Sequence, residues 1–506
     1  MTRLVTLTAR AQRRQNGGVA GRSTQIASLL LAVTLTACGS TIVPTPTVLP
    51  TTSSAATTSG LPSTSGLATS TPFPTDTPVP TLTATVAPTP AATPRATQAP
   101  RVATVMRVMA AQVGVASSPG KAPGSQVIRA GELVQVVGGP GQVGTTRWWQ
   151  VKVGSLTGWV SEGNPANPDL LDASAPASRA WNVWAATATT TLSASVADLP
   201  ERVYVPNEAD NTISVIDPIS LKVIATLTAG RLPEHLTPDW NMSRLYVSNY
   251  ASAFMTVVDP RTEKTVSPIA APSAYNLYFT PDGSKAIVMA EDVSRIDFYD
   301  RKTWKLLKRL PIRWAGIDHA DFWAGGRYLL ASTEYAGHVL KVDVVTMSIV
   351  GDLNVGGKPI DVKLSPDGSV FFVTNQGRSG VSVIDPILMR EIGFIRTATG
   401  AHGMAISRDT RRLYVTNRLV GTISVIDFRT RKVVATWVVG GSPDMLQVSP
   451  NGKQLWTGNR YSNTVVVIDT TTGKVIATIR VGRQPHGLTY FPQPGRYSIG
   501  HNGVYR

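Results

Sequence analysis

The sequence predicts an all-β protein: a seven-bladed β-propeller over residues 200–494, preceded by a small β-barrel over 101–162. Three observations predict it. From Val203 onward one block recurs every 42 residues, seven times. Each block holds four short β-prone stretches divided by turn residues, which is the size of a propeller blade. Upstream, the stretches GSQVIRAGELVQVVG, RWWQVKVG and LTGWVSEG are separated by glycine turns, as in a compact barrel.

The 506-residue chain is long enough for two or three folded units. Its formal charge is +16, and five of those charges are Arg3, Arg10, Arg13, Arg14 and Arg22, which precede the first apolar run with no acid among them. The remaining excess lies mostly in the C-terminal region and is compatible with contact to nucleic acid or anionic envelope polymers. With one cysteine in the chain, an intrachain disulfide and a cysteine-rich metal site are both excluded.

Residues 26–37, IASLLLAVTLTA, are too few to span a bilayer as a helix and follow an arginine-rich segment, the layout of a secretory signal. The run leads through Leu35-Thr36-Ala37 into Cys38. This LTAC resembles the bacterial lipobox, which implies removal of residues 1–37 and lipidation of Cys38. The protein is therefore expected outside the cytoplasm, lipid-anchored to the bacterial cell membrane. The alternative is an ordinary signal peptide followed by a chance cysteine; the Arg13-Arg14 pair sits in a poor twin-arginine context.

Residues 38–100 read as a disordered stalk. From 41 to 100 the chain is mostly Thr, Pro, Ser and Ala, with Asp76 and Arg95 as its only charges. Such a segment buries too little apolar surface to offset its ordering entropy, and its prolines favour extended geometry. Residues 101–162 resemble the bacterial SH3-like domain, on Gly124-Ser125-Gln126-Val127-Ile128, Trp148-Trp149-Gln150-Val151 and Gly158-Trp159-Val160. The opening GVASSPG departs from that family's usual start. The resemblance implies a cell-wall partner, peptidoglycan or another wall polymer, with Trp148, Trp149 and Trp159 as candidate contacts; the competing reading makes these tryptophans core. Residues 163–199, again rich in Ala, Ser, Thr and Pro, read as a linker, with Trp181 and Trp184 set to dock on a neighbouring domain.

The repeats carry two phased signatures. The first is a strand ending at Asn207, Asn249, Glu291, Thr333, Asn375, Asn417 and Asn459. The second ends ten residues on, at Asp217, Asp259, Asp343, Asp385, Asp427 and Asp469, with Asp300 one residue early in the third block. A third strand follows, as in KVIATL (222–227), and a fourth leads into Pro-Asp-Gly or Pro-Asn-Gly turns. One blade cannot bury both faces alone, whereas seven stacked around an axis can. The last fourth-type strand, HGLTYF (486–491), has no following blade and is expected to complete the first, closing the ring. Residues 495–506 read as a C-terminal extension, although His501 falls on the next 42-residue phase.

These repeats resemble the YVTN-repeat, or YncE-like, β-propellers; YVTN itself stands at 414–417. The resemblance covers about residues 200–491. It implies an exported or surface protein, and at least one type in that family binds single-stranded DNA. Glu291 and Thr333 depart from the motif.

Four of the six histidines share one phase. His235, His319, His402 and His486 enter the strand before the Pro-Asp-Gly turn, at spacings of 84, 83 and 84 residues. Asp361 and Asp444 take the matching place in other blades, and Asp318 adjoins His319. Since that strand lines a propeller's channel, these residues are the candidate hub site, suited to a divalent metal or, as a histidine ring, to an anion. The competing reading is that they cap strands, because a seven-bladed mouth is wide and alternate blades stand apart. No nucleophile elbow, P-loop or dinucleotide fingerprint is present. The favoured function is a non-catalytic, surface-displayed binding or scaffold module recognising an envelope, extracellular or protein partner. The alternatives are a metal-binding protein or hub enzyme, and, less favoured, a nucleic-acid binder stacking bases on aromatics such as Trp314, Trp323, Trp437, Trp456 and Tyr461.

Overall fold

The computed structural model describes residues 105–108, 112–129, 132–153, 156–164, 167–168, 170–172 and 182–506. The signal segment, Cys38, the Thr/Pro stalk and Trp181 lie outside the described residues. Among the described residues no helix is long and apolar enough to cross a membrane.

The all-β expectation holds: apart from short 3-10 turns, the described elements are strands. Residues 202–505 build seven antiparallel sheets. In each, the innermost strand is buried along all or nearly all of its length and the outermost strand is largely exposed to solvent. In the second sheet, Pro233–Pro238 is wholly buried, while the outermost strand of the first, Lys222–Thr228, alternates with period two between solvent and neighbour. The innermost strands of the fourth to seventh sheets are Ile317–Phe322, Pro359–Leu364, Ala401–Ile406 and Pro443–Val448.

The repeat residues have distinct tasks. The asparagine ending the second strand clamps its hairpin: Asn417 Nδ2 donates to Thr422 Oγ1 (3.0 Å) and Ser424 Oγ (2.9 Å). The hydroxyl before it reaches the next sheet. Ser332, Thr374 and Thr416 donate to the carbonyls of Ile360, His402 and Asp444, one innermost strand onward. The aspartate ending the third strand accepts turn amides, as Asp469 does from Thr471 and Thr472. In Ser365-Pro-Asp-Gly, Asp367 accepts from Ser365 Oγ and Ser369 N, and Gly368 takes φ 68°, which a side chain would resist.

Comparable bonds join the other sheets. Thr489 Oγ1 donates to Leu236 O (2.7 Å), Thr237 Oγ1 to Leu277 O (3.3 Å) and Asn276 Nδ2 to Asp318 O (3.4 Å). Tyr490 N donates to Gln447 Oε1, tying the seventh sheet to the first. Strand Thr489–Phe491 lies beside Arg202–Asn207, pairing Val203 with Tyr490, so the chain's late strand completes its earliest sheet.

Residues 495–506 do not repeat the block. Ser498–Gly500 and Val504–Tyr505 extend the third sheet past its innermost strand, Asn276–Phe279, through a Tyr278–Gly500 pair. The 3-10 turn His501–Gly503 follows, with Gly503 O accepting from Gln447 Nε2 (2.9 Å).

Upstream stands a five-stranded antiparallel sheet in the order Leu156–Ser161, Thr146–Val153, Leu133–Val143, Val105–Val108, Leu170–Asp172. Its last strand comes from the segment read from sequence as linker. The interior of this sheet is continuous with propeller residues Trp323, Tyr328 and Leu330, and Tyr328 OH donates to Val153 O (3.2 Å). Trp184 docks as expected: its indole N–H donates to Leu364 O (3.0 Å) and the Arg506 guanidinium lies 3.7 Å from its ring centroid.

Candidate functional site

Each hub histidine is placed by its strand. His235, His319 and His402 stand near the start of buried innermost strands, beside the end of the neighbouring strand (Pro233 pairs with Asn249, Ile317 with Thr333, Ala401 with Asn417). The preceding sheet grips the backbone there, as Thr374 holds the carbonyl of His402. His486 precedes Thr489–Phe491, and its amide donates to Pro206 O (3.1 Å).

The side chains meet on the axis. His235 lies 5.0 Å from His319 and 4.7 Å from His486, ring centroid to ring centroid. The expected separation of alternate blades is thus overcome for His235 and His319, of the second and fourth sheets, while His486 reaches His235 from the adjacent first sheet. His501, which sequence phase set apart from these four, inserts from the 495–506 segment. Its ring is 4.5 Å from His319 and 5.0 Å from His235. All five histidines are buried. The sixth, His338, is elsewhere, stacked on Trp314 at 3.9 Å and paired with Asp352.

Carboxylates surround the imidazoles. Asp318 Oδ1 is 2.5 Å from His319 Nδ1, and Asp361 Oδ1 is 3.5 Å from His501 Nε2. Asp444 Oδ1 lies 3.1 Å from His402 Nδ1 and 3.7 Å from His486 Nε2. Glu234, which sequence reading did not single out, pairs with His486 Nδ1. Two arginines from the turns after Asn417 and Asn459 close the asparagine end. Arg418 contacts His402 Nε2 (2.9 Å) and Asp444 (3.3 Å), and Arg460 pairs with Glu208 and lies 3.8 Å from Asp444. The opposite end is filled by 495–506. The signal for the arginines was available, since both follow the motif asparagine directly.

Burial governs the electrostatics. It pushes His319 down to about 4 and His501 to about 3, and sends His402 and His486 well below the usual imidazole range, with Arg418 adding to the effect on His402 and Arg460 to that on His486. These rings are neutral at neutral pH. Burial also raises Asp318, with Glu334 reinforcing it, Glu234, with Glu208 reinforcing it, and Asp444, against the pull of Arg418 and Arg460. Glu291 rises to about 8 for the same reason. Asp361 differs: burial pushes it up, but Lys363 Nζ at 2.7 Å and His501 hold it below the carboxylate range.

In the upstream sheet, Trp149 is core and its indole donates to Glu162 Oε2 (2.9 Å). Trp148 and Trp159 are half-buried and share the other face, since Gln150, two residues from Trp148, pairs with Trp159. Of the aromatics weighed for base stacking, Trp323 and Trp456 are buried within the sheets and Tyr461 is exposed.

A ring of stacked antiparallel sheets with a polar hub defines a β-propeller. The family profile described as YNCE-like beta-propeller matches residues 151–494, and the chain belongs to that family. No curated protein matches the chain. Among solved structures, the chain is similar to a functionally unknown protein from Desulfotomaculum acetoxidans at TM-score 0.52 and 16% identity, covering 57% of this chain and 98% of that one. It is also similar to a protein from Lactobacillus plantarum at TM-score 0.51 and 15% identity, covering 58% and 99%. Hydrazine synthase of Kuenenia stuttgartiensis aligns at TM-score 0.48 and 20% identity, over 54% of this chain and 96% of that one. At 16% and 15% identity the first two show a likeness of fold alone.

Proposed function

We propose that the chain is a non-catalytic, extracytoplasmic binding protein: a seven-bladed YncE-like propeller that takes its ligand in the hub. In this reading a lipid on Cys38 anchors it to the bacterial membrane and the Thr/Pro stalk holds it away from the surface. An SH3-like barrel, presenting Trp148 and Trp159, contacts the cell wall. The observation that carries the hub assignment is the gathering of five buried histidines with Glu234, Asp318, Asp361 and Asp444. Concentrating that many ionisable groups away from water is costly, and such clusters mark functional sites. The enclosure by Arg418 and Arg460 at one end and by 495–506 at the other suits retention of a small ligand over turnover of a large one.

Two measurements test this. Metabolic labelling with a radioactive fatty acid should mark the wild type in the membrane fraction and leave Cys38→Ser unlabelled; an unlabelled wild type removes the anchor. Native mass spectrometry of the purified protein should show a bound mass that His319→Ala loses. A wild type of bare polypeptide mass, unshifted by added metal ions or small anions, ends the hub reading.

A further inference from the structure

Three imidazoles in the hub satisfy a condition the other groups there do not. One ring nitrogen from each of His235, His319 and His501 lies within 4.8 Å of the others, and all three side chains are buried. Modest ring rotation brings such a set to metal–nitrogen distances of about 2.0–2.1 Å. The carboxylates assign the nitrogens. Asp318 sits against His319 Nδ1 and Asp361 is nearest His501 Nε2. Both ring nitrogens of His319 and of His501 are buried without a hydrogen bond of good geometry, and with a carboxylate beside one nitrogen of each ring, His319 Nε2 and His501 Nδ1 are the ones left for an ion. A carboxylate behind the imidazole, as His319 and His501 have, is how metal-binding histidines are held.

We infer that the hub ligand is a single divalent first-row transition-metal ion, bound by His235, His319 and His501. This rests on the hub being the binding site and names its ligand. Three imidazoles select zinc, cobalt, nickel or copper over magnesium and calcium, which prefer oxygen donors. The second cluster, Glu208, Glu234 and His486, is not part of the site, because the Arg460 guanidinium already supplies the cation at Glu208. The third ligand comes from 495–506, so the ion joins that segment to the innermost strands of the second and fourth sheets.

The full-length protein, purified in detergent and stripped with chelator, is titrated with Co(II) and then Zn(II). The expected result is one equivalent of Co(II), visible absorption bands of a nitrogen-coordinated site, and loss of those bands on adding zinc. His319→Ala and His501→Gln abolish the bands with circular dichroism unchanged, Asp318→Asn weakens binding about 10–100-fold, and His338→Ala binds as wild type. If a variant fails to fold, wild-type stoichiometry and the histidine-to-cobalt spectrum still decide. Full binding in His501→Gln overturns the assignment of the third ligand. Absence of Co(II), Zn(II), Ni(II) and Cu(II) binding to the wild type overturns the metal. In that case a different bound mass lost in His319→Ala leaves the hub reading standing, and bare protein removes both.

Discussion

His501 and His319, 182 positions apart in the chain, stand 4.5 Å from each other across the propeller axis. The contact depends on the residue before His501. A Cβ built on Gly500 would lie 2.3 Å from Cδ1 of Tyr278, whose hydroxyl accepts the amide of Ala320, next to His319. Gly500→Ala therefore has to move either the buried tyrosine or the inserted segment. The expected cost is about 1–3 kcal/mol, read as a lower unfolding midpoint, together with weaker Co(II) binding. Unchanged stability and unchanged cobalt affinity would show that the segment tolerates displacement.

The hydroxyl of Thr416 donates to Asp444 O at 2.7 Å and accepts from Gly403 N at 2.8 Å. Thr416→Val keeps the volume and strips both bonds from a buried site. Stability should fall by about 1–3 kcal/mol, measured by denaturant unfolding. Arg411→Ala, on the exposed Arg411–Asp409 pair, should change it little.

Burial holds Glu291 protonated up to about 8, against an ordinary value of 4.5. Its folded-state value is raised, so the folded protein binds the extra proton between those two limits. Its contribution to stability is complete below about pH 4.5 and is lost as pH rises to about 8. His402 works in the opposite sense: burial and Arg418 depress it, so its contribution is complete above the ordinary imidazole range and is lost as pH falls below it. Melting temperatures measured from pH 4 to 9 should show Glu291→Gln flattening the alkaline side. A wild-type slope retained in that variant would remove Glu291 as its source.

The three tryptophans of the upstream sheet should separate in mutagenesis. Trp149 is core, and Trp149→Ala should cost about 3–5 kcal/mol. Trp148→Ala and Trp159→Ala alter a half-exposed face and should leave stability nearly intact. If that face meets the wall, the double variant loses sedimentation with insoluble peptidoglycan. Retention equal to wild type would place wall contact elsewhere or nowhere.

Much of this architecture was legible because a propeller is periodic. The 42-residue phase locates every second and third strand, and the unpaired HGLTYF stretch announces the pairing of Val203 with Tyr490. The same phase puts His235, His319 and His402 on innermost strands and His486 just ahead of one. It misled for His501, whose spacing matches the motif asparagines and not the hub histidines, and it was silent on Leu170–Asp172, which joins the upstream sheet from a segment of linker-like composition.

Local chemistry alone determined the strands, the asparagine clamps, the Pro-Asp-Gly turns and the phase of four histidines, because each depends on residues a few positions apart or one repeat apart. Only the tertiary structure decided that histidines from alternate sheets meet, that Arg418 and Arg460 close one end over Asp444, and that 495–506 carries His501 into the other. Those relations depend on how far the innermost strands lie from a common axis and on what fills the space they enclose. A repeat period specifies neighbours along the ring and is blind to distance across it.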